Sequence, residues 1–177
     1  MFIDIARNRR SIRKYQERSV EKEKIDLLVE TALRAPSSRG FNPWEFVVVT
    51  EPATIERLSR AKPHGAAFLK NAPLAIVICA DPNISDVWVE DAAIASIMLH
   101  LAATDLGLGS CWIQLRKRHH DQQQSAGDYV AGVLGLRPGL AVESIMAIGY
   151  PDQNLPPHPA SSLLYEKVSF DRYGQSK

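Results

Sequence analysis

Cysteine, net charge and long apolar runs are all scarce in this sequence, and each shortage closes off a class of function. The two cysteines, Cys79 in LAIVICA and Cys111 in SCWI, form no CxxC pair. A disulfide-stapled secreted domain needs a far higher density, so both read as reduced, buried small hydrophobes. Lys and Arg number 21 against 20 Asp and Glu, a formal net charge of +1. Whole-molecule charge therefore favours neither nucleic acid nor an anionic membrane as partner, and any anion site has to be local. No segment reaches the roughly 18 uninterrupted apolar residues of a membrane span. The N-terminus meets Asp4 and Arg7 before any run long enough for a signal peptide, so a cytoplasmic protein is expected.

Several catalytic anchors are missing as well. GxSxG, Walker A and HExxH are absent, which removes the usual footing for nucleophilic, phosphoryl-transfer and zinc hydrolase chemistry. His119 and His120 are adjacent in a charged loop while His64, His100 and His158 are scattered, and no pair has metal-site spacing. Glu90 and Asp91 are neighbours on a helix and point to different sides, which is wrong for an acid and a base sharing one site. The glycines of GLGSCWI lie between a helix and a strand in that order and lack a third partner, so a Rossmann dinucleotide loop is excluded.

What is present suits one compact domain, residues 1–177, of which 45% are hydrophobic. Phe2, Ile5 and Ala6 suit a short helix ending near Arg9, Arg10 and Arg13. Ser19 is the expected N-cap of a second helix, where Ile25, Leu28, Val29, Ala32 and Leu33 recur at helical spacing, and Pro36 should stop it at Ala35. The loop PSSRGFNP then delivers Trp44 into the strand FVVVT. Pro52 opens a short helix through Leu58, and the unbroken apolar run Leu74 to Ala80 reads as a strand buried on both faces. Asp86 to Leu106 is the longest helix, apolar around almost its whole circumference, and belongs in the middle of the fold. Ser110 to Gln114 reads as a strand, RKRHHDQQQS as an exposed loop, Ala126 to Leu134 as a helix ended by Gly135, and Val142 to Tyr150 as a strand. The Pro-rich stretch from Pro151 has too few apolar residues for a core of its own. An α+β fold with an extended C-terminal arm, residues 151–177, follows.

Three segments carry possible chemistry. In RNRRSIRKY, Arg9 and Arg13 are four residues apart, Arg10 and Arg13 three apart, and Ser11 adds a hydroxyl; guanidinium groups present paired donors that match an oxyanion. A solvated basic helix end accounts for the same spacing. In PSSRGFNPW, Ser37, Ser38 and Asn42 stand in a loop stiffened by two prolines and could bond the edge of a heteroaromatic ring, or the segment is an ordinary connection with Trp44 plugging the core. In GLGSCWI the glycines either cap a helix or let a planar ligand approach the backbone closely.

Taken together and in order, RRSIR, APSSxxxxPWxF, NAPLAIVICAD, the apolar helix running into LGLGSCWI, and IGYP resemble the nitroreductase family from about Arg9 to Pro151. The resemblance implies a homodimer with a mixed central sheet, two FMN molecules at the subunit interface, and an arm reaching over the partner. It implies a hydride relay from NAD(P)H through FMN to a nitroaromatic, quinone or similar acceptor. By the same resemblance Arg9, Arg10 and Ser11 hold the flavin phosphate and ribityl chain. Arg13 stands near the pyrimidine end of the ring, where its charge stabilises the reduced flavin. Pro36, Ser37, Ser38 and Asn42 reach the flavin of the other subunit, and Ser110, Cys111 and Trp112 run beside the ring, mainly through backbone atoms. No acid, base or nucleophile of the protein is then needed for hydride transfer.

Two departures stand out. Family members of this size commonly place an Arg or Lys after GYP as a second phosphate clamp, whereas DQNLPPHPASSLLYE offers His158, Ser161 and Ser162. Gln114 stands where the family often has Gly, and the RKRHHDQQQ loop follows it. The missing tail cation leaves a second reading open, a flavin- or nucleotide-binding sensor that binds without turnover.

Overall fold

A computed structural model describes residues 1–175, so the last two residues of the expected arm lie outside the described part. The elements run α1 (Phe2–Asn8), α2 (Lys22–Leu33), β1 (Trp44–Val49), α3 (Pro52–Leu58), β2 (Leu74–Ala80), α4 (Trp88–Asp105), β3 (Gly109–Gln114), α5 (Ala126–Leu134) and β4 (Ala141–Gly149). The tail beyond them holds two short 3-10 turns, Ala160–Ser162 and Tyr165–Lys167.

The unbroken apolar run of β2 is explained by its place in the sheet. Strand order is β1-β2-β4-β3, so β2 is an inner strand with a neighbour on each side. Side chains alternate across it as strand geometry requires. Ala75, Val77 and Cys79 join a core with Ile55 and Leu58 of α3 and Val130 of α5. Leu74, Ile76 and Ile78 join an opposite core with Leu28 of α2 and Leu99 of α4. Helices cover both faces, so no position along β2 can be polar. Every pairing among the four strands is antiparallel. The parallel component expected of a mixed sheet shrinks to an isolated bridge between Ser11 and Ser110, because the segment beside β3 is too short to pair as a strand.

Helix α2 starts later than its sequence pattern suggests, with Glu21 rather than Ser19 at the N-cap. Val20 is the reason: it is buried in the core with Leu28, which keeps the preceding residues extended. Glu21 is then fixed by Arg18 at 2.6 Å and by the Tyr150 hydroxyl at 2.7 Å. The helix also ends two residues before Ala35, at Leu33. Helix α5 ends as expected, with Gly135 in the left-handed region at φ 65°.

Helix α4 is central on one side only. Ala92, Ala95, Leu99 and Ala103 are fully buried, whereas Ile94 and Ile97 remain 38% and 43% exposed. Helix α1 lies against α4 and leaves Phe2 and Ile3 exposed beside it.

One buried acid is poorly compensated. Glu143 on β4 is buried, its Oε2 has no hydrogen-bond partner among the described residues, and burial pushes its carboxyl above the usual range. With the folded-state value raised, its favourable contribution is complete below the unfolded carboxylate range and is lost as pH rises through the folded value. Glu143→Gln should therefore melt at a higher temperature than the parent at pH 8, the gap closing at pH 4. Parallel melting curves across that range would show that Glu143 carries no such penalty.

Candidate functional site

The site begins with a turn and a close approach. Gly107 takes a left-handed φ of 72° after α4, reversing the chain into β3. A Cβ on Gly109 would lie 2.7 Å from Ile12 Cβ, so the bare backbone there is what lets Ile12 lie against the strand. Gly107 thus ends the helix, and what approaches Gly109 is the protein's own chain rather than a planar ligand. Ile12 N donates to Ser110 O at 3.0 Å, and the Tyr15 hydroxyl donates to Ile12 O at 2.6 Å and to Ala147 O at 3.2 Å. Burial of Ile12 contributes on the order of 2 kcal/mol. This anchor holds Arg9–Arg13 along the edge of β3 although the arginines gain little from packing.

The three arginines then present charge that the protein itself does not neutralise. Arg9 Nη1 donates to His100 Nε2 at 3.0 Å. Arg10 Nη1 donates to the carbonyl oxygen of Pro156 in the tail. Arg13 lies over the Phe68 ring, 5.8 Å from its centroid. Among the described residues no carboxylate comes within ion-pair distance of any of them, while Arg7, Arg18, Arg34, Arg60 and Arg137 all have acidic partners. Arg9 and Arg10 are half-buried and Arg13 is exposed, and guanidiniums without counter-charges carry the paired donors that match an oxyanion. The imidazole beside Arg9 stays neutral: burial, then the Arg9 charge, push His100 down to about 4.

Cys111 marks where this positive field converges. Burial raises its thiol above the usual value, and Arg13, Lys62 and Arg9 all pull the other way. Lys62 escaped the sequence reading because SRAKPHGAA has no periodicity or motif to single it out. In the fold its Nζ donates to Gln114 O at 2.8 Å, and burial, then the nearby Arg118, push its ammonium below the usual value. The Gln114 side chain turns away and donates to Arg116 O at 3.1 Å. His120 is not simply solvated in the exposed loop: its ring stacks on Tyr129 at 3.9 Å and contacts Arg60 O at 2.9 Å. A cavity of about 450 Å³ lies there, lined by Ser59, Arg60, Lys62, Lys70 and His120 among others.

The remaining sequence candidates divide. Ser11, Ser110 and Cys111 meet at the β3 edge through the Ser11–Ser110 bridge. Trp112 faces the other way, packed against the core under α2 and α4, with its Nε1 unpartnered among the described residues. Trp44 is buried against Ala35 and Ala95 and plugs the core, whatever the loop before it does.

Pro36, Ser37, Ser38 and Asn42 form a separate loop tied by its own hydrogen bonds. Asn42 N donates to Ser37 Oγ at 2.9 Å, the Ser37 hydroxyl donates to Asn42 Oδ1 at 2.8 Å, and Arg39 and Asn42 both take positive φ. The loop is latched to α4 by Asp91, which accepts from Ser38 N at 2.8 Å and from the Ser85 hydroxyl at 3.0 Å. Asp91 is therefore a positioning residue. Asp91 lies in the first turn of α4 and is buried there, which only the fold reveals. Among the described residues no hydrogen bond or ion pair joins this loop to Arg9–Arg13, so a single chain does not bring the two groups together.

A sequence model of the nitroreductase family matches residues 6–62 and 59–150, which together span most of the chain. The chain belongs to the nitroreductase family. A solved FMN-dependent nitroreductase from Clostridium difficile R20291 superposes with a TM-score of 0.95 at 46% identity, covering 97% of this chain and 99% of that one. A candidate NADH dehydrogenase/NAD(P)H nitroreductase from Archaeoglobus fulgidus is 37% identical over 147 residues, 81% of each chain. A protein of the same description from Methanothermobacter thermautotrophicus is 34% identical over 158 residues, covering 86% of this chain and 78% of its own. Nitroreductase membership thus rests on most of the sequence and on nearly the whole fold.

Proposed function

We propose that this nitroreductase-family protein binds FMN and uses NAD(P)H to reduce a nitroaromatic, quinone or similar organic acceptor. The observation that carries the reading is the group Arg9, Arg10, Arg13 without carboxylate partners, held on β3 beside a hydroxyl, Ser11. That donor set fits a phosphate dianion, and the relatives' names point to the same cofactor. When bound, FMN supplies the hydride chemistry. Arg9, Arg10 and Ser11 would hold its phosphate and ribityl chain. Arg13, above Phe68, would place positive charge near the ring, stabilising negative charge that develops on reduction. Cys111 and Ser110 would border the ring through backbone, and Lys62 adds a second cation at the same strand end.

We further propose a homodimer that completes each site. Ile94, Ile97, Phe2, Ile3 and Phe41 leave apolar surface exposed on one chain, and the arm carries Leu163, Leu164, Tyr165 and Phe170 exposed as well. Helix α1, with Phe2 and Ile3, packs on α4, with Ile94 and Ile97, and apolar surface gathered on packed elements is normally covered by a partner. A second copy would bring Pro36, Ser37, Ser38 and Asn42 to the neighbour's Arg9–Arg13 segment and give the arm, from residue 151 on, a surface to cross. No helix among the described residues is long and apolar enough to cross a membrane. With two free, buried cysteines, the protein suits a reducing cytoplasm.

The test is the visible spectrum of the protein after FMN loading and removal of excess, followed by anaerobic NADH, NADPH and a quinone. Flavin bands that bleach and return establish the oxidoreductase. Bands that never bleach point instead to the sensor, which the absence of Lys and Arg from residues 151–165 favours, and no retained flavin removes both. Arg13→Ala should weaken FMN or slow its reduction by about tenfold or more, as loss of a charge-assisted contact predicts, whereas Lys14→Ala should have little effect. Equal, small effects in stopped-flow reduction would take Arg13 out of the site.

A further inference from the structure

The Arg9 side chain is held from below by a buried chain of hydrogen bonds that hydride transfer does not use. Arg9 Nη1 meets His100 Nε2 at 3.0 Å, and His100 Nδ1 meets Ser110 Oγ. A guanidinium has no acceptor, so Nε2 must offer its lone pair, and the ring proton must sit on Nδ1 and be donated to the serine. Both His100 and Ser110 are buried, at 6% and 1% exposure. The Ser110 carbonyl in turn accepts from Ile12 N at 3.0 Å, which returns the chain to the arginine-bearing segment. Three elements, the end of α1, the middle of α4 and the start of β3, are thereby tied at one ring. A neutral acceptor matters here. A carboxylate in the place of His100 would orient Arg9 equally well, but it would cancel the charge and repel an incoming phosphate. Burial and Arg9 itself keep the imidazole uncharged at neutral pH.

We propose that His100 is the positioning residue of the anion clamp: a neutral, Nδ1-protonated imidazole that aims Arg9 at the cofactor phosphate while leaving its charge unspent. Ser110 then serves as the second-layer anchor of that ring, since its hydroxyl is committed to His100 and buried away from any ligand. This rests on the flavin reading for the identity of the phosphate, though not for the hydrogen-bond chain.

Two variants and two flavins test it. His100→Leu keeps the volume and removes both bonds, whereas His100→Gln can accept from Arg9 through Oε1 and donate to Ser110 through Nε2. FMN dissociation constants from fluorescence quenching should rise about tenfold or more in His100→Leu, as for one hydrogen bond to a charged group. They should stay close to the parent in His100→Gln. Riboflavin, which lacks the phosphate, should bind all three proteins alike. Parent-like FMN binding in His100→Leu, or an equal loss for riboflavin, overturns the assignment. Nitrogen NMR of labelled histidine supplies an arm independent of flavin: His100 should show a protonated Nδ1 and a bare Nε2, and inorganic phosphate should shift the Arg9 side-chain resonance in the parent and not in His100→Leu. The opposite tautomer, or a phosphate response indifferent to the substitution, also overturns it. A parent protein that takes up no FMN yet passes the NMR arm would sink the flavin reading alone.

Discussion

Gly109→Ala is expected to destabilise the protein by about 3 kcal/mol, at the upper end of what overpacking costs, and to strip its FMN. The added methyl would lie 2.7 Å from both Ile12 Cβ and Cγ2 and 2.8 Å from Cγ1. Ile12 Cβ is fixed to its own backbone, so no rotamer change relieves the contact. The strand and the Arg9–Arg13 segment have to separate, which breaks the bond from Ile12 N to Ser110 O and moves the arginines off β3. Gly132→Ala is the matched control, because nothing lies within 4 Å of the new methyl and the position is inside α5. That change should stabilise by roughly 0.5–1 kcal/mol. Urea unfolding of both variants, with FMN titration of the folded protein, checks the pair. Wild-type stability and FMN binding in Gly109→Ala would show that the segment is not seated on β3 as described.

The second large effect belongs to Asp91. Asp91→Ala should cost about 3 kcal/mol, because two hydrogen bonds to a buried charge disappear and Ser38 N–H loses its acceptor. Asp91→Asn should recover most of this, since its carbonyl still accepts from Ser38 N and its amide can donate to Ser85. The order Ala, then Asn, then parent is expected in unfolding midpoints. FMN retention should follow that order if the 36–42 loop completes the neighbouring subunit's site. Asn as damaging as Ala would mean that the charge, rather than the latch, is what the fold needs.

Much of the fold was legible along the chain. The limits of α3, β2 and α5 follow from Pro52, the apolar run Leu74–Ala80 and Gly135, because each is a local signal acting on its own segment. The start of α2 was not legible. Ser19 satisfies the local capping rule, but burial of Val20 is a tertiary demand and it outweighs a cap worth about 1 kcal/mol. The site divides along the same line. RRSIR singles itself out as a candidate anion site through the chemistry of its own side chains. Asp91, Lys62 and His100 carry no such mark, since each acts on residues far away in sequence.

By itself the sequence determined the element order, the buried central strand and the arginine group, because hydrophobic period, turn residues and guanidinium chemistry are properties of short segments, while the ordered set of motifs from RRSIR to IGYP carried the resemblance to the nitroreductase family. The tertiary structure decided which glycine admits the arginine segment to β3, which carboxylate latches the 36–42 loop, and which imidazole meets the Arg9 guanidinium. Those choices depend on distances between residues separated by as many as 97 positions, from Ile12 to Gly109, and only the packed fold sets such distances.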